Sequence, residues 1–392
     1  MESRLPSHGP DRSQTIPVLD LSLACDQKQK PHLLKQLHNA LFEVGFLFIV
    51  NHGVERQTLN NLTDLLPSLF ALPESEKSSL RKLNSPHFLG YSGFAEETTL
   101  GRQDLREQFD FATELPVVYS RSKSDASSVS SQARDFSKPY WRLRGPNQWP
   151  SESSLPGFRK AFTEYHDAVQ ELSYRFVHLI EEALGIPVGT FDHFFGRTRR
   201  ENRSQDTRTF LPPQHRIKLL RYPPSAKAQN ESQGVGAHKD SSGWLTFLYQ
   251  VDNEPGLEVM SASGEWIPAT PIDGSFVVNF GNAFDAATEG AVKATVHRVI
   301  APGLESPVRY SIPFFQGLPL DMTVSEVQSY IPEEVRQLRR NSGKPHAGVS
   351  SFLDPRWDSL GESQLRKWIR SHRDVGLKWY GQDAVDYYTS AD

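Results

Sequence analysis

The sequence predicts a mainly β core, sandwich or barrel, held between helical segments, and three observations carry that reading. Short strand-like runs fill residues 215–318: "IKLLRY", "WLTFLYQ", "GLEVM", "EWIPAT", "SFVVNFG", "ATVHRVIAP" and "VRYSIPFF". Gly, Pro, Asn and Asp turns separate them, with no crossover-helix pattern between, which marks β-sandwich or barrel architecture rather than a parallel sheet. Before and after this block the apolar residues repeat at helical spacing, notably in "GESQLRKWIRSHRDVGLKWY" (361–380).

Taken in order, residues 1–15 are expected as a disordered tail and "IPVLDLS" (16–22) as a short strand with Asp20 at its turn. Leu33, Leu34, Leu37, Ala40, Leu41 and Val44 form the stripe of a helix over 31–44 that stops at Gly45. "FLFIV" (46–50) continues as a buried strand into the turn "NHG". A second helix, 56–71, carries Leu59, Leu62, Leu65, Leu66 and Leu69 and halts at Pro73. The serine-rich stretch 120–137 lacks a period and is expected as a surface insertion. From Phe158 to Leu184 one apolar stripe predicts the longest helix, about 40 Å at 1.5 Å per residue. The organisation expected is therefore a helical and strand region (16–200), a β core (210–320) and C-terminal helices (321–392) that serve as a lid.

The chain has 392 residues, 37% hydrophobic and 23% charged, with a formal charge of −4, so nothing in its charge balance calls for nucleic acid or an anionic membrane as partner. The arginine cluster "GRTRRENRSQDTR" (196–208) is mixed with Glu201 and Asp206 and bare of aromatics, the pattern of a solvated loop. The single cysteine, Cys25, excludes an intrachain disulfide and cysteine-ligated zinc or iron–sulfur sites. An apolar signal core and an apolar run of membrane-spanning length are both missing, which makes the cytoplasm the expected compartment.

Chemistry enters at "GAHKDSSGWLTFLYQ" (236–250). On an extended chain His238 and Asp240 project to one face, about 6.5 Å apart. His297, in "ATVHRVIAP", shares a face with Thr295. A strand histidine alone is more often packed than ligating, but two imidazoles and a carboxylate together are the ligand set of the facial triad of non-haem Fe(II) oxygenases. In "VRYSIPFF", Arg309, Ser311 and Pro313 share a face. A charge inside an apolar strand needs a partner, either a structural carboxylate or that of a ligand held bidentately.

These stretches resemble the 2-oxoglutarate/Fe(II)-dependent dioxygenases of the isopenicillin N synthase-like family. "IPVLDLS", "GFLFIVNHG", "RYPP", "AHKDSSGWLTFLYQ", "PGLEVM", "FVVNFGN", "ATVHRV" and "RYSIPFF" occur in the family's order over about 16–320. The resemblance implies a double-stranded β-helix (jelly-roll) core, an α+β, mainly β fold. It places iron ligands at His238, Asp240 and His297, and 2-oxoglutarate contacts at Arg309, Ser311 and Tyr222. Leu220 stands where many plant members carry asparagine, and His52 belongs to the family's turn. The implied reaction uses Fe(II), O2 and 2-oxoglutarate to oxidise a small organic metabolite, releasing succinate and CO2, in the style of secondary metabolism. Two alternatives stand beside it: a 2-oxoglutarate-independent oxidase of the same family, and a non-catalytic jelly-roll binding protein. The substrate pocket is expected along 90–114, with Phe94, Phe109 and Phe111 meeting an apolar body and Arg102 and Arg106 an acid, and at Phe314, Phe315 and the C-terminal helices.

Overall fold

The strand runs assemble into two facing sheets, one of which carries helices on its far side. The structure, a computed structural model, describes residues 15–121, 134–196, 211–225, 233–240, 243–338 and 359–390. The tail 1–14, most of the serine-rich stretch and most of the arginine cluster lie outside the described residues.

The first half supplies strands β1 (Val18–Asp20) and β2 (Phe46–Val50), with helix α1 (Lys30–Asn39) and a π-helical turn (Ala40–Val44) between them. Three short helices follow, α2 (Arg56–Thr63), α3 (Leu66–Phe70) and α4 (Glu74–Ser79). The expected single helix over 56–71 is thus broken before Pro67. Pro73 does not end the helical region; it is the N-cap of α4. Proline lacks the N–H that a first helical turn leaves unpaired anyway, so it suits a start as well as a stop. Next come β3 (Gly90–Ser92), the hairpin β4 (Thr98–Thr99) and β5 (Arg102–Gln103), β6 (Glu107–Ala112), the long helix α5 (Phe158–Ala183) and α6 (Asp192–Phe195).

The core strands are β7 (Arg216–Tyr222), β8 (Gln233–His238), β9 (Leu245–Gln250), β10 (Leu257–Met260), β11 (Trp266–Pro268), β12 (Phe276–Phe280), β13 (His297–Ile300) and β14 (Arg309–Phe315), with α7 (Asn282–Ala287) inserted after β12. The chain closes with α8 (Val324–Ser329), α9 (Glu333–Gln337), α10 (Leu360–Ser371), α11 (Arg373–Tyr380) and α12 (Gln382–Thr389). The major sheet runs β1-β2-β12-β9-β14-β7-β6-β3 and the minor sheet β11-β10-β13-β8, antiparallel throughout except for β1 with β2. This is the expected jelly-roll core.

Alternation of side chains across each major-sheet strand divides the molecule. Leu47, Ile217, Leu219, Phe247, Val278 and Phe314 point to the helix side, where they join Phe162, Val169, Leu172 and Phe176 of α5 in one buried cluster. Phe176 meets Phe247 edge-on at 5.7 Å between ring centroids, and burying each such ring contributes about 1.5–3 kcal/mol. Their neighbours one residue along, Phe46, Phe48, Leu220, Tyr222 and Val277, face the minor sheet and pack with Val235, Leu257, Val259 and Val299. The site opens on this second face. Gly45, at φ 72°, lets the chain turn into β2 while β13's lead-in passes close by: a Cβ there would lie 2.3 Å from Thr295 Oγ1 and 2.5 Å from the Lys293 carbonyl oxygen.

Candidate active site

Sheet pairing explains how residues 59 positions apart in sequence meet. His297 and His238 are direct partners across β13 and β8, and their rings stand 4.3 Å apart. Asp240 lies just past β8, where the chain crosses to the major sheet. There its Oδ2 accepts hydrogen bonds from Thr246 Oγ1 and Asn279 Nδ2, both at 2.7 Å, and its backbone carbonyl accepts from the Asn282 N–H at 2.8 Å. Gly281 makes this crossing fit, because a Cβ on it would lie 1.9 Å from the carbonyl oxygen of Gly243.

The three side chains are oriented for a common guest. His238 Nδ1 is 2.8 Å from the Gly236 carbonyl oxygen and His297 Nδ1 is 3.1 Å from that of Thr295. A carbonyl only accepts, so each Nδ1 carries the proton and each Nε2 presents a lone pair. Both Nε2 atoms converge on Asp240 Oδ1, at 3.7 Å from His238 and 3.6 Å from His297. One ligand atom from each residue falls within 4.8 Å of the others. Burial, then the neighbouring His297, pulls the His238 pKa down to about 3. Burial opposes the Asp240 charge, yet His297, His238 and the bonds from Asn279 and Thr246 outweigh it and hold the carboxyl at about 2. Neutral imidazoles, an ionised carboxylate and carbonyl partners behind both rings fit a divalent first-row metal.

These groups border a cavity of about 560 Å³. Its floor follows the register of β14. Arg309 sits opposite Tyr222, Ser311 beside Gln250 and Leu220, Pro313 beside Leu248, and Phe315 beside Thr246. Arg309 at the first end is 1% exposed. Its guanidinium donates to the Glu254 carbonyl at 3.3 Å, Gln250 Oε1 at 3.2 Å and Ser311 Oγ at 3.4 Å, and lies 5.0 Å over the Tyr222 ring. It has no ion pair among the described residues, and burial lowers its pKa. A buried cation left with neutral partners, facing a cavity, fits a ligand carboxylate. Leu220 borders the cavity, and His52 is far from it, held between the Gly274 carbonyl and the Val54 N–H.

Several pocket expectations need correction. Phe109 and Phe111 pair with Leu219 and Ile217 and therefore face the helices, where both are fully buried. Phe314 points the same way, and only Phe315 borders the cavity. Phe94 and Arg102 are exposed. Arg106 does border it, but ion-paired to Glu97 at 2.9 Å and Asp104 at 3.4 Å.

The far end of the cavity holds groups that the sequence reading passed over. Lys218 borders it 3.7 Å from Asp110 and 3.8 Å from Glu97, and the buried Lys82 reaches both acids at 2.8 Å. Burial opposes the Glu97 charge, yet Lys218 and Lys82 hold its pKa well below the usual range. α10 adds Lys367 and Trp368 to the wall, and His372 joins them just past its end. This helix starts on a serine N-cap, with Ser359 Oγ accepting from the Glu362 N–H at 3.2 Å. A lysine on an amphipathic helix looks like a solvated residue, so only the packing of α10 reveals Lys367.

Comparison with known proteins gives concordant findings. Residues 16–152 match the N-terminal model of the non-haem dioxygenase in morphine synthesis, and residues 214–317 match the 2OG-Fe(II) oxygenase superfamily. The chain is 37% identical over 372 residues to the 2-oxoglutarate-dependent dioxygenase frbJ of Dothideomycetidae sp. (strain 11243), covering 93% of this chain and 92% of that one. It is 28% identical over 324 residues to the homoarginine-6-hydroxylase 2-ODD-C23.1 of Arabidopsis thaliana, covering 79% and 87%. Among solved structures, a full-length Neurospora crassa protein in complex with alpha-KG and 5-formyluracil superposes with a TM-score of 0.65 at 23% identity, covering 92% of this chain and 98% of that one, a likeness of fold.

Proposed function

The chain belongs to the 2-oxoglutarate/Fe(II)-dependent oxygenases of the isopenicillin N synthase-like type, and from that premise we propose that His238, Asp240 and His297 hold its Fe(II) while Arg309 and Ser311 grip the far carboxylate of 2-oxoglutarate. The observation that carries the assignment is the orientation of the triad: two Nε2 lone pairs and one carboxylate oxygen aimed at one point, each fixed from behind by a hydrogen bond. The bound metal supplies O2 activation coupled to decarboxylation of 2-oxoglutarate to succinate and CO2.

The protein's own part is positioning. Thr246 and Asn279 occupy Asp240 Oδ2 and leave Oδ1 for the metal. Tyr222 supports the Arg309 guanidinium, so that a carboxylate arriving there meets donors already aligned. The apolar Leu248–Pro313 row between Arg309 and the triad excludes water from the chain of the co-substrate. The organic molecule oxidised is small, since the cavity must hold it together with 2-oxoglutarate. Among the described residues no helix is long and apolar enough to cross a membrane, and we propose the cytoplasm as its compartment and secondary metabolism as its setting. Of the C-terminal helices α10 walls the cavity, and together they act as its lid.

The test is succinate formation. Wild-type protein with Fe(II), O2 and a panel of small metabolites should form succinate only when 2-oxoglutarate is added. His238→Ala, Asp240→Ala and His297→Ala should each abolish it while keeping the wild-type circular dichroism spectrum. Full activity in iron-stripped protein would overturn the assignment.

A further inference from the structure

The far end of the cavity carries an unusual density of charge, and its balance is informative. Lys82, Arg106 and Lys218 are ion-paired among Glu97, Asp104 and Asp110, and Lys239 pairs with Asp285 at 3.8 Å. Those four cations match those four carboxylates. Arg216, just behind, spends its donors on the carbonyls of His87, Phe88 and Leu143 and lies over the Trp368 ring at 4.6 Å. That leaves two cations without a carboxylate, Arg216 and one more, and of these only the second has free donors. Lys367 borders the cavity and has no ion pair and no hydrogen-bond partner among the described residues; its Nζ lies 5.9 Å over the Trp368 ring.

Lys367 is exposed, and part of its surface borders the cavity. Its charge acts on both His238 and Asp240, which sets it beside the triad, at the end of the cavity away from Arg309. Desolvation and the nearby Lys218 make its ammonium costly, a cost that a bound anion would remove.

We infer that Lys367 is the receptor for the primary substrate, which is a monocarboxylic acid with an apolar body. The two unpaired cations of the cavity then divide the work: Arg309 takes the co-substrate and Lys367 the acid to be oxidised. A single ammonium with free donors suits a carboxylate better than a phosphate dianion. Trp368, Phe315 and Leu100, the last at the tip of the β4–β5 hairpin, give the apolar body its surface. This inference rests on the site reading above, because it assumes that Arg309 is engaged by 2-oxoglutarate.

The experiment is anaerobic calorimetry on the full chain loaded with Fe(II) and 2-oxoglutarate. The probes are hexanoate, decanoate, phenylacetate and cinnamate, the primary amide of each, and phenyl phosphate. At least one acid should bind wild type about 30-fold or more tightly than its amide, the low end expected for losing one partner of a desolvated charge pair. Lys367→Met should erase that preference, and Lys367→Arg should keep most of it. Equal binding of acids and amides, undiminished acid binding by Lys367→Met, no acid binding at all, or tighter binding of phenyl phosphate than of every acid would overturn the inference. The same cell reports 2-oxoglutarate binding. If wild type fails to bind it, the site reading falls and this inference with it; if it binds and the acids do not discriminate, only the role of Lys367 falls.

Discussion

The two faces of the eight-stranded sheet are made from the same strands, one residue out of phase, and they behave as two different materials. On β9, Leu245, Phe247 and Tyr249 enter the helical core, while Thr246 orients Asp240 and Gln250 meets Arg309. On β14, Ile312 and Phe314 are core, and Arg309 and Ser311 belong to the cavity. The helix face stabilises the sheet by burying apolar area; the cavity face retains buried charged groups whose desolvation opposes stability. Side-chain alternation thus lets stability and chemistry be altered almost independently.

The largest effect expected is on the helix face. Phe247→Ala should cost about 3–5 kcal/mol of unfolding free energy, read by urea denaturation, while the KM for 2-oxoglutarate of the folded fraction stays near wild type. A shift in KM as large as the stability loss would show that the faces are not separable.

Arg309→Leu probes the opposite face. It should raise the KM for 2-oxoglutarate by tens- to thousands-fold, about 2–5 kcal/mol, with stability unchanged or increased because an unpaired buried cation has been removed. An unchanged KM would remove Arg309 from the co-substrate site.

A smaller effect is acid sensitivity set on the helix side. His215, fully buried between Tyr174 Oη and the Gly317 N–H, is pulled down to about 3 by desolvation and then by His166. Its folded pKa lies below the unfolded value, so between about 6.5 and 3 the unfolded chain binds a proton that the fold refuses. Stability should therefore be intact above 6.5 and fall with decreasing pH through that window, by up to about 1.4 kcal/mol per pH unit from this one group. His215→Gln should flatten the slope by close to one proton; an unaltered slope would contradict a neutral His215.

How much of this is legible in the sequence differs between the faces for the same physical reason. Apolar repeats announce α1, α5 and the core strands, and an arginine within an apolar strand announces Arg309. The order of motifs announces the triad. Register is not legible: nothing local tells that Phe109 and Phe111 share a face with Leu219 and Ile217, so aromatic character alone assigns them to the pocket. Lys218 and Lys367 are hidden because a lysine on a strand or an amphipathic helix has the signature of a solvated residue, and only tertiary packing brings it to the cavity. The break before Pro67 and the restart at Pro73 are likewise ambiguous, since proline both stops and starts helices.

The account's central claim is that the cavity face closes a metal site from two sheets, with His238 and His297 from one and Asp240 tied to the other. Equilibrium dialysis against Fe(II) without oxygen tests it most directly. Wild type should bind one Fe(II) per chain, and His238→Ala, Asp240→Ala and His297→Ala should each bind none at the same free concentration, with Arg309→Leu binding as wild type does. Retention of one Fe(II) by any of the three triad variants would contradict the claim.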